Sequence, residues 1–310
     1  MHPRLPGQAL VTQVEYTALA LAQVTELWTQ FGNLTEIWLD GGCGAMCDKV
    51  GALVRKTNAN DAVAFNGGGV SRSPVRWSGT ESGHPQFGPG RAVWSTTACA
   101  DTWCGPGSGS GSPPNMTNAM WYPSGVDVTL QQGDHWFYTP GDPLNSLSTL
   151  VGFYHDSVGA NGHLEIDFGI DRTGGVDPKH AAGYKGFGDW IRSCYGSPVA
   201  EGALPSGATS LVVEFAKPEV VDRVRMEENQ TRGQRIIDFT VEAKVAGAWV
   251  PFSQGTTVGA KRIDVAATAV TATALRWTVT SGFGTPTGLK LFAFAPGPCA
   301  LAGFEYPTSW

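Results

Sequence analysis

The stretch Leu34-Thr35-Glu36-Ile37-Trp38-Leu39-Asp40-Gly41-Gly42 decides how the first two thirds of the chain are understood. Glu36 to Leu39 has the length and apolar character of a short strand, and the paired glycines stop it, so Asp40 stands at a strand end. Before it, Val14, Leu21, Val24, Leu27, Trp28 and Phe31 recur at helical spacing until Gly32 ends the helix. After it, a second helix is expected from Asp48 to Lys56, followed by the apolar run Ala62-Val63-Ala64-Phe65. Helix and strand in alternation imply a parallel sheet with covered faces. Barrels built this way carry their catalytic groups at the C-terminal ends of the strands, where Asp40 lies. A cap for the following helix is the competing use of this carboxylate.

The alternation continues through Ala92-Val93-Trp94-Ser95 and Val126-Asp127-Val128 to a helix near Leu144 to Val158. Leu164 to Phe168 is the last strand of this kind, and a helix near Pro178 to Ser193 closes the region. From about Ser206 only strands are expected: Phe239, Val241 and Ala243 alternate with polar neighbours, as do Leu275, Trp277 and Val279. The fold class is therefore α/β followed by all-β. Residues 1–198 form the α/β domain and residues 199–310 an antiparallel β-sandwich, with a linker between Gly196 and Gly207. Residues 105–114, GPGSGSGSPP, form a low-complexity loop inside the first domain.

Composition narrows the function. Hydrophobic residues make up 42% of the 310, enough for a sizeable core, while charged residues are only 15%. The 21 Lys and Arg against 27 Asp and Glu leave a net charge of −6 with no basic track, which argues against a nucleic-acid partner. No run approaches the roughly 18 apolar residues of a membrane span. Six cysteines (Cys43, Cys47, Cys99, Cys104, Cys194 and Cys299) and three sequons at Asn33, Asn115 and Asn229 favour a secretory-pathway protein, although no signal peptide is visible. The disulfide pairing stays open.

Glu81 is the natural partner for Asp40. It lies in Arg76-Trp77-Ser78-Gly79-Thr80-Glu81, a glycine-broken loop after the next strand. Two carboxylates from successive strand ends can face each other across a barrel mouth, the arrangement that glycoside hydrolysis requires. Arg76 and Trp77 offer a cation and an apolar plate for a sugar ring. His84, His135, His163 and His180 lack metal-ligand spacing, and no Gly-x-Ser-x-Gly elbow is present.

At these residues the sequence resembles the α-L-fucosidases of glycoside hydrolase family 29. Leu34 to Gly41 looks like the family segment ending in its nucleophilic aspartate, and Arg76 to Glu81 looks like the Arg-Trp-x-Gly-x-Glu segment of the subgroup acting on branched fucosylated glycans. Trp136-Phe137-Tyr138 is similar to the aromatic stretch near the bound sugar. Ser157 to Gly162, Gly233-Gln234-Arg235, Gly255 to Gly259 and Lys261-Arg262 are similar to later family segments.

The resemblance implies the C-terminal half of an eight-stranded (β/α) barrel, followed by a jelly roll of the galactose-binding, discoidin-like kind. It implies Asp40 as nucleophile, Glu81 as general acid/base, and Arg76, Trp77 and Trp136 as substrate-binding residues, with no metal or organic cofactor. The expected partner is a fucosylated glycan, α1-3/4-linked, and the expected location is secreted, extracellular or lysosome- or vacuole-like. The family's barrel begins well upstream of this chain's first helix, so an incomplete form is expected. Gly125, Gln131-Gln132 and Asp167-Phe168-Gly169-Ile170 depart from the family pattern, and the loop at 105–114 looks inserted. The alternative is a catalytically inactive glycan-binding protein that keeps the sandwich and a remnant cleft.

Overall fold

The computed structural model describes residues 11–57, 61–65, 70–71, 73–77, 80–85, 96–97, 120–121, 123–204 and 207–301. The expected strand at 92–95, the glycine run 67–69, the loop 105–114, Cys99, Cys104 and the sequon at Asn115 lie outside the described residues. The chain forms two compact units, one ending at Arg76 and the other beginning at Trp77.

The first unit opens with helix α1 (Gln13–Gln30). Thr12 caps it in a reciprocal box: Glu15 N donates to the Thr12 hydroxyl, and Thr12 N donates to the Glu15 carboxylate at 2.7 Å. The helix packs through Leu21, Val24 and Trp28, in one cluster with Ile37, Val50 and Val54. The rest of the expected apolar stripe is bare, with Val14, Leu27 and Phe31 exposed. Strand β1 (Glu36–Trp38), helix α2 (Cys47–Lys56), strand β2 (Val63–Phe65) and strand β3 (Ser73–Trp77) follow. The three strands are parallel, with Glu36 beside Val63 and Val63 beside Ser73. Trp38 stacks on Phe65 at 4.5 Å between ring centres, and Cys43 is bonded to Cys47.

The second unit contains the antiparallel pair β4 (Thr96–Thr97) and β5 (Met120–Trp121), and then strand β6 (Ser124–Thr129), buried at every position. Helix α3 (Leu147–Asp156), strand β7 (His163–Asp167) and helix α4 (Pro178–Tyr195) complete its α/β part. β6 and β7 are parallel, pairing Gly125 with His163 and Thr129 with Asp167. Caps set both helix starts: Ser146 accepts from Thr149 N, and Asp177 accepts from Lys179 N with Pro178 in the first turn.

The all-β part is one continuous sheet of six strands: β8 (Ala200–Ala203), β9 (Ser210–Glu227), β10 (Ile236–Val245), β11 (Ala248–Thr256), β12 (Arg262–Gly282) and β13 (Lys290–Phe294). Their order is β11-β10-β12-β9-β13-β8, antiparallel throughout. β9 and β12 run for 18 and 21 residues, far longer than the ~5–6 of an ordinary strand. Their pairing jumps from Val265–Arg223 to Val270–Val221, and again from Ala272–Glu219 to Ala274–Glu214. Unpaired residues therefore loop out on each strand in turn, which bends the ladder. The bend lets one sheet curl over its own inner face, where Val241, Leu275, Met226 and Leu291 are fully buried in a single core. The alternation at Phe239, Val241 and Ala243 points all three into that core.

The expected boundary at 198/199 falls between α4 and β8, and the packing is continuous across it. Trp190 and Tyr195 of α4 share a core with Ile263 of β12 and Phe294 of β13. The Trp190 indole donates to Cys299 O at 3.2 Å, and Cys194 is bonded to Cys299 across 105 residues. Closing a loop of that length restricts the unfolded chain, so replacing both cysteines by serine is expected to lower stability by about 2–5 kcal/mol, read by urea denaturation. Gly259 has φ +71°, and an added Cβ would run into the Asn161 side chain. Gly259→Ala is expected to cost at least about 2 kcal/mol in the same measurement, because both the backbone and the space oppose it.

Candidate active site

Asp40 emerges one residue past the backbone hydrogen bond that ends its strand, Leu39 N to Phe65 O at 3.1 Å. Gly42 N then donates back to Leu39 O at 2.8 Å, with Gly41 at φ +67° and Gly42 at φ +78°. This left-handed turn leaves the carboxylate exposed at the C-terminal edge of the sheet. Helix α2 begins only at Cys47, and its cap position is Met46, so Asp40 does not cap it. Arg76, buried, is the penultimate residue of β3, which runs parallel to β2 and so brings it to the C-terminal ends of these strands.

Trp77 opens the second unit, and its indole N–H donates to Asp127 Oδ1 at 2.7 Å. Asp127 lies mid-way along β6, opposite Glu165 on β7, and is 6% exposed. Burial pushes its carboxyl up to about 6 against the stabilising bond from Trp77, and the charges of Glu81 and Glu165 push the same way. The structure thus brings Trp77 and Asp127 together, with Glu81 close enough to act on Asp127 electrostatically. The Glu81 side chain is exposed, on a loop fastened at several points. Gly83 N donates to Asp127 O at 3.3 Å, His84 Nδ1 meets Asp156 at 2.8 Å, and the Thr80 hydroxyl donates to His84 O. The Phe153 ring lies where a side chain at residue 83 would go.

Trp136 sits half-buried in the loop after β6, beside Phe137, which is 88% exposed. Gln131 organises that loop. Its side-chain amide donates to His135 O at 2.8 Å and to Phe137 O at 2.9 Å, and its carbonyl accepts from Thr139 N at 2.9 Å. Gln132 reaches Leu144 O, and Tyr138 donates to the Asp177 carboxylate at the start of α4. Gln131 is thus a neutral brace that fixes the backbone beside two aromatic rings, after the C-terminal end of β6. Asp167, at the end of β7, has its carboxyl raised by burial, and the neighbouring His180 opposes that rise.

Sequence reasoning did not select Asp127 or Gln131 as functional. A signal for Asp127 existed in its position between Val126 and Val128, where an acid interrupts an apolar strand. Gln131 carried no such signal, since a polar residue after a strand ordinarily belongs to a solvated loop.

No family model matches the chain. It is 24% identical over 293 residues to a protein of Oryza sativa subsp. japonica named as an α-L-fucosidase 1, covering 81% of this chain and 54% of that protein. Alpha-L-fucosidase 1 of Arabidopsis thaliana is 25% identical over 304 residues, covering 84% of this chain and 57% of its own length. The chain thus spans little more than half the length of these plant relatives. A crystal structure from Bacteroides thetaiotaomicron VPI-5482, named as an α-L-fucosidase, superimposes with a TM-score of 0.78 at 30% identity, covering 93% of this chain and 67% of that one. Shared sequence at that level over two thirds of the solved protein, with the parallel strands and the antiparallel sheet both included, places the chain in the α-L-fucosidases of glycoside hydrolase family 29.

Proposed function

We propose that the chain carries the catalytic carboxylates of a retaining exo-fucosidase that removes α1-3/4-linked L-fucose from fucosylated oligosaccharides or glycoconjugates. The observation that carries this reading is Asp40, exposed on a double-glycine turn at the C-terminal end of a parallel strand in a chain of the fucosidase family. In this reading the parallel strands are the C-terminal half of an eight-stranded barrel, and the bent sheet is a galactose-binding, discoidin-like jelly roll. The two described disulfides support a secreted or lysosome-like location, since such bonds persist in oxidising compartments.

The chemistry uses two carboxylates and water. Asp40 attacks the anomeric carbon of fucose while Glu81 gives its proton to the departing glycosidic oxygen, which leaves with the bonding pair. Glu81, now a carboxylate, takes a proton from water. The resulting hydroxide attacks the same carbon, and the ester bond to Asp40 breaks. Arg76 binds sugar hydroxyls, and Trp77 and Trp136 supply apolar surface for the ring and its C6 methyl group. No metal or organic cofactor takes part. Asp127 holds the Trp77 indole in place and, being mostly protonated below about pH 6, adds little negative charge beside Glu81 there.

Two expectations follow from these roles. Asp40→Ala should abolish release of L-fucose from a branched trisaccharide, and Glu81→Gln should lower it about 10²–10⁴-fold, measured by chromatography of the free sugar. Turnover unchanged in Asp40→Ala would remove the nucleophile assignment, whereas saturable binding of the trisaccharide without turnover by the unaltered chain would favour a glycan-binding protein. The second expectation concerns pH. Asp127 is raised in the fold from 3.8 to about 6, so its stabilising contribution is complete below pH 3.8 and is lost as pH rises through 6. Asp127→Asn should abolish that slope, worth about 1–3 kcal/mol, in denaturation curves taken between pH 4 and 7.

A further inference from the structure

The turn that carries Asp40 has little of its own to hold it. Residues 40–46 separate Leu39, whose N–H is bonded to Phe65 O, from Cys47, the first residue of α2. Gly41, Gly42 and Gly44 all lie in this segment, at φ +67°, +78° and +48°. Glycine takes positive and negative φ with equal ease, so this backbone resists bending less than any other. A Cβ added at any of the three would meet no described atom within 4 Å, so packing does not brace these positions. The backbone bonds are short-range: Gly42 N donates to Leu39 O at 2.8 Å, Met46 N to Cys43 O at 2.9 Å, and Cys47 N to Gly44 O. Each joins near neighbours, so together they shape the turn without fixing where it points.

The anchor is covalent. Cys43 is bonded to Cys47. Cys43 is buried in the cluster that also holds Trp28 of α1, Ile37 of β1, and Val50 and Val54 of α2, and Cys47 packs against the same cluster. The bridge therefore ties the far side of the turn to the first residue of a helix that is itself docked in the core. With the bridge closed, only Asp40, Gly41 and Gly42 lie between two fixed points, Leu39 and Cys43. With it open, the loose segment lengthens toward Cys47.

Global stability does not account for this bridge. A disulfide restricts the unfolded chain by an amount that grows with the loop it closes, and the separation here is 4 residues, against 105 for Cys194–Cys299. Its effect is local. Among the described residues, no hydrogen bond or ion pair holds the exposed Asp40 carboxylate, so the backbone sets its place. A nucleophile must meet the reacting carbon at about 3–3.5 Å, and a misplacement of about 1 Å costs on the order of 10²-fold in rate.

We propose that the Cys43–Cys47 disulfide is the positioning element of the nucleophile: it fixes the glycine turn that presents Asp40 and so maintains the rate of its attack. The proposal rests on the reading of Asp40 as the nucleophile. Cys43 and Cys47 touch no reacting atom and act only through the turn.

The test compares the full chain with the same chain carrying Cys43→Ala and Cys47→Ala, by backbone amide exchange and by release of L-fucose from a branched trisaccharide. In the altered chain the Gly42 and Met46 amides are expected to exchange about tenfold faster or more, while exchange in β2 and α1 stays as it was. kcat and kcat/KM are expected to fall together by about 10–10²-fold, since lost alignment acts in the transition state and leaves substrate binding alone. If the altered chain does not fold, the unaltered chain, folded with its bridges closed and then reduced by a phosphine to free thiols at Cys43 and Cys47, gives the same comparison. Unchanged exchange at Gly42 and Met46, faster exchange throughout the first unit, or unchanged kcat beside faster exchange overturns the proposal. No fucose release by the unaltered chain removes the hydrolytic reading alone, and exchange at Gly42 and Met46 then decides whether the bridge holds the turn.

Discussion

Asn161 holds a left-handed backbone at φ 65° and is 7% exposed, with its side chain divided among three partners. Its Oδ1 accepts from Ala260 N at 2.7 Å and from Gln230 Nε2 at 3.2 Å, and its Nδ2 donates to Gln234 Oε1 at 3.2 Å. Its own N–H reaches Lys261 O, and Gln234 passes the chain of bonds on to the Thr257 hydroxyl. This buried lattice ties the segment entering β7 to two turns of the antiparallel sheet. The bridge at Arg262, the disulfide and the shared core of α4 with β12 and β13 extend the same attachment. A buried polar network of this kind rigidifies a fold when every member is satisfied, and destabilises it when one is removed.

Glu228 supports the lattice from the side. It is 5% exposed and accepts from Arg235 N, Ile236 N and Gly259 N. Burial nonetheless pushes its carboxyl up to about 7, so desolvation outweighs the three bonds. Exposed pairs such as Lys185 with Asp189 contribute far less, because water screens them. The segments around Gln234, Gly259 and Asn161 are among those that resemble the family. They are the contact between the α/β part and the bent sheet, not the reacting groups.

The helices were legible because their signals are local. Apolar residues recurring at helical spacing, and the glycine that follows them, lie within a few turns of one another along the chain. Asp40 was legible for the same reason, since a strand-length run followed by two glycines places it at a strand end whatever lies elsewhere. Asp127 was not, because its burial depends on Trp77, fifty residues away, and on Glu165 beside it in the next strand. Gln131 was not, because its three bonds run to backbone atoms of a loop whose path no local pattern specifies.

The amino-acid order on its own established the element types, the change from alternating helices and strands to strands alone, and the strand-end carboxylate. Each rests on hydrogen bonds and steric limits among near neighbours. Folding in three dimensions decided that the all-β region is one bent sheet and that Asp127 and Glu228 are buried acids. Those features arise where residues distant along the chain exclude water from one another. Desolvation at such a place depends on every wall of the site, so no single segment encodes it.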